Sequence, residues 1–412
     1  MAGAGVMSDR LLQGSSLGDL AESVGIGLRV AGHVLKDRLS PPPLTDERSV
    51  PADPGAITPD WLTHVLCANH RDVRVVRTAA VGGSAGTSVR ATLALEYDGG
   101  PVGDLPARIF VKSAASFGTR ITAGISGAMV NETHFYTLVR PLVPIEAPAG
   151  FHAASDQASF RSVLVTEDLV ATKRARFLSA NEPYSRAMAE DAVGLLGTLH
   201  GTFDRSSLLD GRLAPLQTYE AFISAGIRRA QLKRFHFKGF DAAQELFPAG
   251  LNAARDQSWP LIVQSILAHR TLPHTVIHGD PHPGNWYQTG AGCMGLLDWQ
   301  CTARGNGARD LAYALSTHLA IEDRRAWERD LIELYRAAFA RAGGTPPSFD
   351  HLFRLYRQQL WAALLMWTPT YRPPPFFPDM QPEDISRITL ERIGAALDDL
   401  ECINAFNTGS EK

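Results

Sequence analysis

The chain has 412 residues, 45% of them hydrophobic and 20% charged, with a net charge of −3. That length exceeds one small core and suits two or three structural units or a two-lobed enzyme, and the composition is that of a soluble globular protein. The near-neutral balance gives no general electrostatic case for nucleic acid or an anionic membrane, and no apolar run reaches the ~18 residues of a membrane span.

The opening MAGAGVMSDR lacks the basic and apolar regions of a signal peptide. Cys67, Cys293, Cys301 and Cys402 lie far apart without a CxxC pair, which argues against a disulfide framework or a structural zinc site and for a reducing, cytoplasmic setting. Leu17 to Leu39 has the spacing of an amphipathic helix carrying both charge signs, expected to pack on the main body rather than on a membrane. SPPPLTDERSVPADPG, from Ser40 to Gly55, reads as a linker, so residues 1–55 form an N-terminal helix and Pro-rich connector. Thr58 then stands at an N-cap position with Pro59 at the first helical position.

From Val73 to Ala114, VRVVRTAAV, SVRATLALEY and ARIFVKSA are β-branched runs separated by glycine-bearing turns, the pattern of strands. Gly127 to Val139 has helical spacing and is ended by RPLVP. SVLVTEDL, Ser162 to Leu169, is another strand. Helical patterns follow at Ser185–Phe203, Gln217–Phe235, Trp259–His269, Leu311–Ala342, His351–Trp367 and Gln381–Glu401. Residues 56–168 are thus a small β-rich unit and residues 169–412 a larger helical one.

HGDPHPGN, His278 to Asn285, lies between the apolar runs TVI and WY. WYQTGAGCMGLLDW then reads as a β-hairpin turning at TGAG. Counting outward from that turn sets Asn285 opposite Leu297 or Asp298, with Asp280 just ahead. An amide oxygen beside a carboxylate makes a hard oxygen site suited to Mg2+, while Asp280 is placed to act as base toward a nucleophilic hydroxyl. The spacing Asp280-x4-Asn285 matches the kinase catalytic loop, and Asp298 takes the place of the second metal ligand. The alternation of His278, Asp280 and His282 also permits a zinc site; the prolines between them favour a loop over a strand, and His278 reads as a brace for loop backbone.

Phosphoryl transfer further requires a cation on the triphosphate. Lys112 is a lone lysine in an apolar strand, which costs free energy unless it is paired or borders a cleft, and Glu132 on the next helix is its expected partner. VGGSAGTSVRATL, with Gly83, Ser84, Gly86 and Thr87, occupies the position of a loop that covers phosphates with backbone N–H groups, though without the G-x-G-x-x-G spacing. LVTEDL, with Glu167, falls where a hinge lining the adenine belongs.

With VIHGDPHPGNWY followed by GLLDWQ, the chain resembles the aminoglycoside phosphotransferase/choline kinase-like superfamily, over roughly Ile57 to Trp367. The resemblance implies an α+β, bilobal protein-kinase-like fold: a small antiparallel β-sheet N-lobe with one main helix, a larger mainly helical C-lobe, and ATP·Mg2+ between them. It implies Asp280 as base, Asn285 and Asp298 as metal ligands, Lys112 with Glu132 positioning phosphate, and Asp310 of ARDLAYAL bracing the catalytic loop. Gln300, two positions after Asp298, stands where many antibiotic-modifying members carry an acid, and Asp-aromatic-Gln looks more like the ecdysteroid-kinase-like branch. The expected activity is transfer of the γ-phosphoryl group of ATP to a hydroxyl of a small molecule, with an inactive nucleotide-binding relative and a zinc hydrolase as alternatives. Gly211 to Arg270 is net basic, unlike a cleft for polycationic antibiotics. The aromatic, proline-rich stretch Leu364 to Asp379 reads as a loop that lines the acceptor site or covers the core.

Overall fold

The computed structural model describes residues 10–70, 72–85, 88–375, 377 and 379–407. Helix α1 (Leu17–Leu39) starts at a capping box, in which Ser16 accepts from the Asp19 amide and Asp19 accepts from the Ser16 amide. After the linker, α2 (Pro59–Leu66) is capped by Thr58 with Pro59 at its first position, as the residues require.

Five antiparallel strands follow: β1 (Val73–Ala85), β2 (Val89–Gly99), β3 (Arg108–Ser113), β4 (Gly150–Asp156) and β5 (Arg161–Glu167), in the order β1-β2-β3-β5-β4. Alternation along β3 sends Ile109 and Val111 into one core with Val163, Val165, Trp61 and Leu62. Lys112, one residue on, leaves the opposite face toward the helical part. Gly82 to Ala85, expected as loop, is paired strand, because Gly83 and Ser84 find partners in Ala91 and Arg90. Two helices join β3 to β4. The first, α3 (Phe117–Ser126), was not expected; it stops at Gly127, whose φ of +72° suits glycine. The second, α4 (Ala128–His134), continues through a wider turn at Phe135–Val139 and so fills the expected Gly127–Val139 segment.

The larger part contains α5 (Arg186–Thr202), α6 (Tyr219–Arg229), α7 (Leu232–Ala242), α8 (Arg255–Leu267), α9 (Ala308–His318), α10 (Ile321–Arg341), α11 (Phe349–Tyr371) and α12 (Glu383–Asp399). Leu196, Ile262, Leu311, Leu331, Leu360 and Leu364 from these helices share one buried core. The expected single helices at Gln217–Phe235 and Leu311–Ala342 are each two, broken at Gln231 (φ +55°) and at Leu319–Ala320. The supposed loop from Leu364 is helical through Tyr371 and buries Trp367, because its apolar residues belong to the core. Short strands carry the intervening loops: β6 (Arg176–Phe177), β7 (Thr275–Ile277), β8 (Trp286–Gln288), β9 (Met294–Leu296) and β10 (Ala303–Gly305), paired as β10-β7 and β6-β8-β9.

The architecture is a small antiparallel sheet with helices beside a larger helical lobe. Helix α1 joins the two. Its Asp37 receives Arg120 of α3 at 2.6 Å and Arg161 of β5 at 3.1 Å. Its Asp19 and Glu22 receive Arg228 and Arg229 of α6 at 3.3 and 2.6 Å. Among the described residues no helix is long and apolar enough to cross a membrane.

Candidate active site

The segment His278–Asn285 leaves β7 and enters β8, and its shape is set by contacts that only certain residues allow. Gly279 has φ +81°, and a Cβ there would lie 2.3 Å from the Cys301 carbonyl oxygen. The Asp310 carboxylate, in the first turn of α9, accepts from the His278 and Gly279 amides at 2.6 and 2.9 Å and lies 3.2 Å from His200 Nε2. Arg309 donates to the Gly279 carbonyl at 3.2 Å and to the Tyr219 hydroxyl at 2.8 Å. Asp310 therefore braces the loop, the place expected for it.

Both ring nitrogens of His278 are committed. Nδ1 accepts from the Asp280 amide at 3.2 Å, and Nε2 donates to the Leu297 carbonyl at 3.0 Å. Burial holds its pKa below the usual histidine range. No nitrogen is left for a metal, so His278, Asp280 and His282 do not form the alternative zinc site. Among the described residues no cluster of three or more His, Cys, Asp or Glu side chains is arranged around a metal position.

Asp280 is largely buried, 3.8 Å from His282 Nε2. Burial raises its pKa, and the neighbouring His282 and His278 offset part of that rise. The Asn285 Nδ2 donates to the Asp280 carbonyl at 2.8 Å, which fixes the amide and leaves Oδ1 without a partner among the described residues. The hairpin register pairs Trp286 with Leu296. The next hydrogen bond, Leu297 N–H to the Asn285 carbonyl at 2.9 Å, brings Asp298 to the open end. Asp298 has φ +64°, a left-handed conformation that costs a non-glycine residue free energy and is concentrated at functional sites. Behind it Trp299 stacks on Phe135 with centroids 3.6 Å apart and meets His278 edge-on at 4.6 Å.

Lys112 closes the arrangement from the sheet. Its Nζ lies 2.7 Å from Asp298 Oδ1 and 2.9 Å from Glu132 Oε2. Burial alone would lower the lysine pKa, but the two carboxylates outweigh it and the net shift is upward. Burial would raise Asp298, but Lys112 holds it below the ordinary carboxylate range; Glu132 is pushed up by burial. Lys112 thus stands between two buried carboxylates and pairs with both.

Two cavities meet here. The larger, about 400 Å³, is bordered by Lys112, Glu132, Asn285, Asp298, Glu167 and Ser84. The other, about 230 Å³, is bordered by Asp280, and Lys112, Glu132 and Leu164 border both. Ser84 reaches the larger cavity wall, whereas its neighbour Gly83 pairs with Ala91; Gly86 and Thr87 lie outside the described residues. The Glu167 carboxylate borders that cavity but is occupied by the Ala149 amide and the Thr172 hydroxyl, each at 2.7 Å.

Three residues at the site escaped the sequence reading. Arg90 borders the larger cavity, opposite Lys112 in the β2–β3 register, and helps hold Asp298 ionised. Tyr313, one turn after Asp310 on α9, has its hydroxyl beside Asp280. Arg309 grips Gly279. The i, i+3 spacing of Asp310 and Tyr313 was a usable signal; Arg90 needed the strand register, which local motifs do not supply.

The family model described as phosphotransferase enzyme family matches residues 126–352, more than half of the chain. No curated protein matches it. Among solved structures, choline kinase from Streptococcus pneumoniae is 13% identical, covering 82% of this chain and 98% of its own, with TM-score 0.43. A choline/ethanolamine kinase family protein from Mesorhizobium loti is 16% identical, covering 81% and 93%, with TM-score 0.43. A macrolide 2'-phosphotransferase from Brachybacterium faecium is 13% identical, covering 84% and 98%, with TM-score 0.40. These overlaps are too loose to carry an acceptor from any of them to this chain.

Proposed function

The chain belongs to the phosphotransferase enzyme family, and from that premise we propose that it transfers the γ-phosphoryl group of ATP to a hydroxyl of a small molecule in a Mg2+-dependent reaction, in the cytoplasm. The observation that carries the reading is the meeting of the two cavities, with Asp280 on one and Lys112, Asn285 and Asp298 on the other.

The donor set fits a magnesium ion. Asn285 Oδ1 and the second Asp298 oxygen have no protein partner among the described residues and border one cavity, two hard oxygens of the kind Mg2+ takes alongside phosphate and water. The bound ion would neutralise charge on the phosphate oxygens. Lys112, held by Glu132, would place a fixed positive charge beside the phosphates. Arg90 adds a second cation to that wall. Asp280 would orient the acceptor hydroxyl and take its proton as the new P–O bond forms and ADP departs. Its raised pKa makes it a better proton acceptor than an exposed aspartate. Asp310, Arg309 and His278 act by holding the loop.

Equilibrium titration of ATP with and without Mg2+ tests the nucleotide half. Saturable, Mg2+-enhanced binding that is lost in Asp298→Ala is expected; binding indifferent to both would contradict the assignment.

A further inference from the structure

We propose that the cavity bordered by Asp280 accepts an uncharged, largely apolar alcohol, with Gln300 and Ser113 as its polar contacts. The inference rests on the phosphotransfer reading, since it gives this cavity to the acceptor.

Much of the wall is apolar: Phe222, Ile223, Leu232, Met366 and Phe377 border it. The charged groups at its edge are Lys112, Glu132 and Asp280. Lys112 and Glu132 already hold each other at 2.9 Å. An ammonium on the acceptor would therefore find only the carboxylate needed for the reacting hydroxyl. A carboxylate or phosphate on the acceptor would find only a lysine shared between Glu132 and Asp298. An anion would enter without compensation, and a cation would take Asp280 away from the reacting hydroxyl, so the apolar wall suits neither.

The polar equipment is instead uncharged. Ser113 is 3% exposed, borders the cavity, and its hydroxyl has no hydrogen-bond partner among the described residues. A buried hydroxyl in that condition is unusual and is relieved by a ligand that offers an acceptor or donor. Gln300 borders the same space, and its backbone carbonyl takes Asn131 Nδ2 at 3.3 Å, so the residue is anchored without using its side-chain amide. The wall is also supported from outside. Ile125, Ala230, Leu232 and Phe377 border the cavity and pack in one cluster with Ile26 and Val30 of α1.

Three cyclohexanols that differ at one substituent test the assignment on the full chain: trans-4-methoxycyclohexanol, trans-4-aminocyclohexanol and trans-4-hydroxycyclohexanecarboxylate. Calorimetric titration with ADP and Mg2+ present should show the methoxy compound binding at least about tenfold more tightly than either charged one. Gln300→Glu should bring the amine up by about tenfold, and Ser113→Ala should weaken the methoxy compound severalfold. Equal or tighter binding of a charged compound, no binding of the methoxy compound, or unchanged affinities in both variants would overturn the proposal. A parallel ATP·Mg2+ titration separates the two readings. Nucleotide binding with a preference for a charged cyclohexanol overturns only the acceptor class, whereas absent nucleotide binding removes the phosphotransfer reading itself.

Discussion

Lys112 and Asp298 stand 186 positions apart in the chain, yet the lysine ammonium lies 2.7 Å from the Asp298 carboxylate. One residue comes from the centre of a five-stranded sheet and the other from the end of a hairpin in the helical lobe. Their contact, shared with Glu132, ties the two lobes together at the place where both cavities open.

Lys112→Met would leave Glu132 and Asp298 as unpaired buried carboxylates. The expected cost is about 3–5 kcal/mol of stability at neutral pH, as for other buried ion pairs that lose one partner. Adding Asp298→Asn should return part of it, because one of the two charges is then gone. Urea denaturation of the two variants and the parent measures both steps.

Asp280 should reduce stability at neutral pH, because its carboxylate is buried. Burial raises its pKa in the folded state. A group raised in this way contributes stability fully below its unfolded pKa of ~3.9 and loses that contribution as pH rises through the folded value. Asp280→Asn is therefore expected to melt higher than the parent at neutral pH, with the gap closing at acid pH. Melting curves across pH check the sign; a variant less stable at neutral pH would refute the account of this carboxylate.

Gly279→Ala tests the backbone of the loop. The new methyl would meet the Cys301 carbonyl at 2.3 Å in a left-handed conformation. The loop must shift, at an expected cost of about 1–3 kcal/mol, and Asp280 with it. Thermal melting together with ADP release should show activity falling far more than the fraction folded.

Asp37→Ala removes the anchor of Arg120, which is 1% exposed, and of Arg161. A loss of about 3–5 kcal/mol is expected, with faster proteolysis inside α1. Asp46→Ala, on an exposed turn, provides the comparison and should change little.

The order of elements and the loop from His278 to Asn285 could be read from the sequence because they are local. Hairpin counting set Asn285 opposite Leu297 or Asp298, and the observed hydrogen bond is to Leu297. His278 was expected to brace loop backbone, and it does. What local pattern could not supply was long-range packing. Helix α3, rich in threonine and glycine, has weak helical propensity and is held by Asp37 and the α1 face. The basic run around Arg228 holds the N-terminal helix: Arg228 and Arg229 pair with Asp19 and Glu22 of α1, and Lys233 donates to the Leu12 carbonyl that precedes it. The stretch after Leu364 looked like a loop because of its prolines, but Pro369 sits inside a helix whose apolar side is core.

The most direct test is ADP release and product mass over a panel of hydroxylated small molecules with ATP and Mg2+, run on the parent and on Asp280→Asn. The account predicts an alcohol that gains a phosphoryl group with the parent, at a rate reduced at least ~10²-fold in the variant, with ATP affinity unchanged. Phosphorylation at the parent rate in Asp280→Asn would contradict it.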